Sequence, residues 1–305
     1  MTDFTPLLAF LVALCVSSLM SVGGLSGAFL LLPFQVSVLG ITGPTVTPTN
    51  HLFNVVAIPS GVYRYFREGR MLWPLAAIIA AGTVPGVVAG SLVRIYYLPD
   101  PRDFKLFMGF VLLLIGSRLG AKVLATIRKR EPTKNDRGER APGRDIDMGR
   151  LTVSVERFDW RVLRYGFRGE RYAVPVGALG LLSAVIGVIG GVYGIGGGAI
   201  MAPFLVSFWN LPVHTIAGAT LLSTFLTSVV GAGFFWLMGT LFGLPGVAPN
   251  LLLGLCFGTG GLIGIYAGAR MQRFIPARLI EALLAVTVNG LGLYYIAGFF
   301  SLGTR

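Results

Sequence analysis

The sequence predicts an all-α polytopic membrane protein built from two homologous, inverted repeats, each a glycine-broken helix or hairpin followed by three spans. Three observations carry that reading. The 305 residues are 54% hydrophobic and only 12% charged, about half the charged fraction of roughly 25% usual in soluble domains. Apolar stretches of about the 17–25 residues that cross a bilayer recur along almost the whole length. Finally, the chain aligns with itself.

Gly24-Leu25-Ser26-Gly27-Ala28-Phe29-Leu30-Leu31-Leu32-Pro33-Phe34 lies over Gly194-Ile195-Gly196-Gly197-Gly198-Ala199-Ile200-Met201-Ala202-Pro203-Phe204, at an offset of 170. The match continues without a gap through Gly61 over Gly231 and Gly69 over Gly239. After an eight-residue insertion in the second copy, Pro85-Gly86-Val87-Val88-Ala89-Gly90 meets Ile263-Gly264-Ile265-Tyr266-Ala267-Gly268, at an offset of 178. The chain therefore divides into a first membrane repeat, 1–121, a basic loop, 122–172, and a second membrane repeat, 173–305.

Apolar-window length places the segments of the first copy at 6–21, 28–39, 46–63, 72–95 and 104–121. The same criterion gives 173–190, 198–209, 215–238, 247–269 and 277–299 in the second. No basic n-region precedes the first apolar run, so that segment is expected to remain in the mature protein. Trp73, Tyr96, Tyr97 and Trp209 fall near segment ends, where interfacial anchors sit.

Two topologies are open. If the glycine-broken stretch crosses once, the copies are parallel; if it turns back as a hairpin, each half has an odd number of segments and the copies are inverted. Residues 122–171 hold 14 basic and 8 acidic residues, half of the chain's net charge of +12, which marks this loop as cytoplasmic. With the loop inside, the hairpin arrangement also places Arg64, Arg67, Arg70, Arg270, Arg273 and Arg278 inside and both termini outside. Single crossing strands the last three arginines outside. The inverted arrangement is therefore preferred, a common transporter plan.

Within the loop, 131–150 is polar, rich in proline and glycine, and expected to be disordered. Residues 151–172 interleave Phe158, Trp160, Leu163, Tyr165 and Phe167 with arginines, which suits a segment lying on the inner leaflet against anionic lipids; a short strand or a partner-binding site is left open. The basic charge sits in this loop and at segment ends, so nucleic-acid binding is not expected. Cys15 and Cys256 lie in apolar stretches with no metal-binding spacing and are expected to pack. No cofactor or metal is expected, and a homo-oligomer is left open.

The candidate site starts from the glycine breaks: Gly23, Gly24 and Gly27 in one copy, and Gly194, Gly196, Gly197 and Gly198 in the other. Unwound backbone at membrane depth leaves amide groups that only protein or a wet cavity can satisfy. Followed by a fresh helix N-terminus, it favours an anion. The alternative is that these glycines only let helices pack closely. The next segment carries Thr47, Asn50, His51 and Asn54 at i, i+3, i+4 and i+7, one helix face. Thr220, Ser223, Thr224 and Thr227 repeat that spacing in the second copy. Uncharged hydroxyl and amide donors, with Ser26 beside the first break, suit an anion that must bind and then leave. The alternative is interhelical hydrogen-bond glue. His51 either senses protons or donates to the solute.

Outside the loop the acids are Asp3, Glu68, Asp100, Asp103 and Glu281, all near segment ends. No carboxylate lies mid-membrane, where proton and sodium relays are built. Expelling a dianion from a negative interior is favoured by about 4.6 kcal/mol per 100 mV. An uncoupled facilitator suffices.

The paired glycine-rich blocks ending in Pro-Phe, each followed by a small-polar helix, resemble the TauE/SafE family of sulfite and organosulfonate exporters. The resemblance covers 6–121 and 173–300. Tyr193-Gly194-Ile195-Gly196-Gly197-Gly198 is close to the family pattern, whereas the first block departs from it at Ser26 and Ala28. It implies a permease for a small sulfur-containing anion such as sulfite or an organosulfonate in the bacterial inner membrane, directed outward, and not an enzyme. Two rivals stand beside it. Gly24-Leu25-Ser26-Gly27 also resembles the nucleophile motif of rhomboid intramembrane proteases, with His51 as partner of Ser26, although the second copy has Gly196 in place of the serine. The other rival is a non-transporting membrane scaffold.

Overall fold

The computed structural model describes residues 5–22, 26–69, 71–128, 154–167, 169–271 and 277–301. The first half supplies α1 (Thr5–Val22), α2 (Ala28–Ser37), α3 (Val46–Ala57), α4 (Pro59–Arg67), α5 (Trp73–Tyr96) and α6 (Pro101–Arg128). Three strands follow, β1 (Ser154–Phe158), β2 (Val162–Phe167) and β3 (Glu170–Pro175). The second half supplies α7 (Val176–Tyr193), α8 (Gly197–Trp209), α9 (Val213–Thr240), α10 (Leu251–Met271) and α11 (Ala277–Ser301). Helices α5, α6, α7, α9, α10 and α11 are long and apolar enough to cross a membrane, while α1, α2 and α8 are shorter apolar helices. The molecule is an all-α polytopic membrane protein with one small sheet.

Glycine rows set the packing. Gly82, Gly86 and Gly90 on α5 press against Gly180, Ala184, Gly187 and Val188 of α7. A β-carbon on Gly86 would lie 2.4 Å from the Ala184 carbonyl oxygen. In the second half, Gly260, Gly264 and Gly268 on α10 press in the same manner on Phe10, Leu14 and Ser18 of α1. Helices in lipid gain no hydrophobic drive from associating, so backbone-to-backbone approach through small residues is what holds them. Residue numbers rise together across both contacts, so each pair runs parallel. By contrast α6 and α11 are antiparallel, Gly109 meeting Gly292 and Gly116 meeting Asn289. Helices α3 and α9 are antiparallel too, with His51 on Gly231 and, beyond the end of α3, Gly61 on Leu221.

The segment 46–63 is corrected to two helices, because Pro59 has no N–H to continue α3 and instead opens α4. In the stretch 151–172, where a short strand was left open, the described part is an antiparallel sheet in the order β1-β2-β3. Leu163, Tyr165 and Phe167 alternate with exposed Arg164, the period of a strand. Gly169 takes φ +84° in the tight turn joining β2 to β3. The sheet docks through Tyr165, stacked on Tyr172 at 5.4 Å and hydrogen-bonded to Thr215 Oγ1 at 3.0 Å. Burial pushes the Tyr165 phenol up to about 12, with the Thr215 contact opposing that rise. The stretch 131–150, expected to be disordered, lies outside the described residues. Cys15, expected to pack, is exposed on α1; Trp73, Tyr96 and Tyr97 are exposed at helix ends.

Candidate functional site

The second break is a true interruption. Tyr193 ends α7, and Gly194 follows in the left-handed region at φ +85°, its N–H returning to the Gly190 carbonyl at 2.8 Å. Gly196, at φ 73° and ψ 143°, adopts a conformation that a side chain would strain. The chain then restarts as α8 at Gly197. Gly197 and Gly198 are helical and serve the other role weighed for these glycines, close approach. A β-carbon on Gly197 would meet Thr83 at 2.6 Å, and one on Gly198 would meet the Thr220 carbonyl at 2.0 Å.

At the first break α2 begins at Ala28 after Gly27, which has helical φ and is pressed between Ser17 and Phe53. Ser26 Oγ accepts from the Ala28 N–H at 3.3 Å and donates to Asn54 Oδ1 at 3.4 Å. Gly23 and Gly24 lie outside the described residues.

Helix α3 joins the two breaks. Thr47 Oγ1 donates to the Val192 carbonyl at 3.0 Å, beside the second break. Asn50 Nδ2 donates to the Ala28 carbonyl at 3.0 Å, in the first turn after the first break. Asn54 receives Ser26 within that break. Tyr193 crosses directly, its hydroxyl donating to the Phe29 carbonyl at 2.9 Å. Breaks distant in sequence thus meet along one face of one helix.

The fourth member of the stripe, His51, points to α9. Its Nδ1 lies 3.4 Å from Ser228 Oγ, and the ring rests on Gly231. All four side chains are buried. Among the described residues His51 Nε2, Asn54 Nδ2 and Asn50 Oδ1 have no hydrogen-bond partner. A buried polar atom left unpaired costs about 1–3 kcal/mol, and these three lie on one face of α3. Ser26 pairs with Asn54 and His51 with Ser228, so the structure does not join Ser26 to His51.

The threonines of α9 differ from expectation. Thr220 and Thr224 are buried, but each hydroxyl donates to its own helix, to Ile216 at 3.1 Å and Thr220 at 2.8 Å. Only lone pairs remain to face a solute. Ser223 is buried and pairs with Thr83 Oγ1 at 3.0 Å, and Thr227 Oγ1 receives the Gly197 N–H at 3.3 Å. On the α9 side the polar groups therefore secure the second break, whereas on α3 Asn54 Nδ2 remains an unpartnered donor among the described residues.

The model of one protein family, Sulfite exporter TauE/SafE, matches residues 9–295. The chain belongs to that family. A probable membrane transporter protein, YdhB of Bacillus subtilis (strain 168), is 30% identical over 90 residues, which is 30% of this chain and 34% of that one. The match thus spans about a third of the relative's length. No solved structure matches.

Other members of this constellation in the TauE/SafE chain were not singled out from sequence. Thr83 lies behind Ser223 and Gly197. Arg94 is wholly buried on α5, although its place two residues from a span end reads as a topology anchor. Its Nε donates to Thr47 Oγ1 at 3.2 Å, Nη2 donates to the Gly43 carbonyl at 3.3 Å, and Nη1 donates to the Leu98 carbonyl. The guanidinium also lies 3.8 Å from the Phe104 ring centroid. A usable signal existed: Thr83, Val87, Ser91 and Arg94 fall at i, i+4, i+8 and i+11, one helix face.

Proposed function

We propose that this protein is a permease for a small sulfur-containing anion, such as sulfite or an organosulfonate, in the bacterial cytoplasmic membrane, working outward and without catalysis or cofactor. The observation that carries the reading is α3 fastened to both broken helices while Asn54 Nδ2 and His51 Nε2 stay unpartnered in the interior. Donor hydrogens beside fresh helix N-termini suit an oxyanion. The unpaired Asn50 Oδ1 suits a solute that also carries a proton, as hydrogen sulfite does. The site comprises Ser26, Gly27, Thr47, Asn50, His51 and Asn54 with the second break, Gly194, Gly196, Gly197 and Gly198. Thr220, Ser223 and Thr224 back that break, and Gly24 belongs to the site by its place in the first break. Family membership supports the same class of cargo.

Two inverted copies are part of the proposal. Support comes from the antiparallel run of α3 against α9 and of α6 against α11, the pairs that correspond in the self-alignment. The basic segment 122–171 is assigned to the cytoplasm, with anionic lipid at its arginines. Arg102, at the start of α6, donates to the Phe299 carbonyl near the end of α11 at 3.1 Å. The end of α11 therefore lies opposite the end of α6 that leads into 129–153. A reporter fused after Arg305 is expected to read periplasmic and one inserted near residue 140 cytoplasmic; both reading on one side refutes the arrangement. For transport itself, purified protein in liposomes is expected to release preloaded radiolabelled sulfite or methanesulfonate faster under an outward-driving potential. Release at the rate of protein-free vesicles for both refutes the function.

A further inference from the structure

The buried guanidinium of Arg94 has no counter-charge among the described residues: no acidic side chain there forms an ion pair with it, and all its acceptors are neutral oxygens. A guanidinium has five N–H bonds, and three are used, leaving one on each terminal nitrogen. That is the number a bidentate oxyanion takes. A cation with neutral partners at this depth is costly, and such residues in membrane proteins mark solute paths.

A second observation points the same way. Ser91 is fully buried one turn before Arg94 on the same face of α5, and its Oγ has no partner. Below it on that face, Thr83 reaches Ser223 and the start of α8. Helix α5 thus carries a buried polar line from the second break to Arg94. Thr47, which Arg94 holds, is one turn of α3 before Asn50. Arg94 stands where α5 ends and α6 begins, the end of the bundle away from 129–153.

We propose that Arg94, with Ser91, forms a second station that takes the oxyanion as it passes between the broken helices and the face opposite 129–153. The Gly43 and Leu98 carbonyls and Thr47 occupy three of its N–H bonds and hold the guanidinium in place, and the anion would take the two that remain. The position aligned with Arg94 in the second copy, at offset 178, is the uncharged Gln272. This inference rests on the anion-permease reading and adds to it a charged oxyanion site at one mouth.

The test uses full-length protein in liposomes with sulfite as the probe. For Arg94→Gln, the KM for sulfite presented at the periplasmic face is expected to rise about tenfold, the order of losing a bidentate charged contact. Arg94→Lys should keep the charge and recover part of that loss, which a purely structural role would not explain. Because Arg94 also ties Gly43 and Leu98, a second measurement uses the unaltered chain. Phenylglyoxal labelling of Arg94, read by peptide mass spectrometry, should slow at least about fivefold in saturating sulfite, while labelling of exposed Arg67 should not change. A KM within twofold for Arg94→Gln, or labelling of Arg94 that is absent or indifferent to sulfite, overturns the inference. Unaltered vesicles that move neither sulfite nor methanesulfonate overturn instead the function beneath it.

Discussion

Gly198→Ala is expected to give a protein that neither folds to a monodisperse species nor transports. The added β-carbon would sit 2.0 Å from the Thr220 carbonyl oxygen and 2.7 Å from the Thr224 nitrogen. These are backbone atoms of α9, so no side chain can rotate away. Either α8 and α9 separate or the first turn of α8 unwinds. Overpacking of this kind costs about 1–3 kcal/mol where side chains can yield, and more where only backbone can. Separation would also pull Gly196 from Thr224 and Ser228, on which it rests. Gly180→Ala on α7 is the matched control, since nothing lies within 4 Å of its β-carbon. Alanine there should raise helix stability by about 0.5–1 kcal/mol. Thermal melting in detergent measures both. Equal midpoints for the two variants would show that α8 and α9 do not approach this closely.

The contrast between those glycines bears on what the sequence makes legible. Segment order and approximate bounds were readable because a lipid-spanning helix needs only length and apolar composition, and 72–95 against Trp73–Tyr96 shows the agreement. The second break was readable for a related reason: Gly194-Ile195-Gly196 is too rich in positive-φ residues to stay helical. What was not readable depends on partners distant in sequence. Gly194, Gly196, Gly197 and Gly198 look alike in the chain, yet two unwind the backbone and two admit α5 and α9. The α9 threonines resemble donors until the return of each hydroxyl to the preceding turn is seen. Arg94 resembles an end-of-span anchor until α6 folds Phe104 over it. The 151–172 stretch mixes aromatic residues with arginines, and the alternation of buried Leu163, Tyr165 and Phe167 shows its strand only once the fold is seen. His51 packs on Gly231 as Leu221 packs on Gly61, so a contact with one form in both halves is polar in only one.

Asn54→Asp is expected to fold as the unaltered chain does and to lose at least about a hundredfold in sulfite release. The substitution is nearly isosteric and removes no hydrogen bond. Ser26 Oγ donates to Oδ1, which a carboxylate accepts at least as well, and the Nδ2 it replaces has no partner. What changes is the character of the atom facing the proposed site, from donor to charged acceptor. Two like unit charges about 4 Å apart at an effective dielectric near 20 repel by about 4 kcal/mol. That is about a thousandfold at full ionisation, so a hundredfold allows for relaxation. The sign with pH follows: protonation makes the acid a neutral donor again, so release should recover as pH falls through the pKa of the introduced carboxyl group. Asn54→Leu, which removes the donor without adding charge, should lose less and show no such recovery. If the solute were a cation, the new carboxylate would bind it better and release would rise with ionisation. Faster flux at neutral pH would therefore refute both the placement of Asn54 and the sign of the cargo.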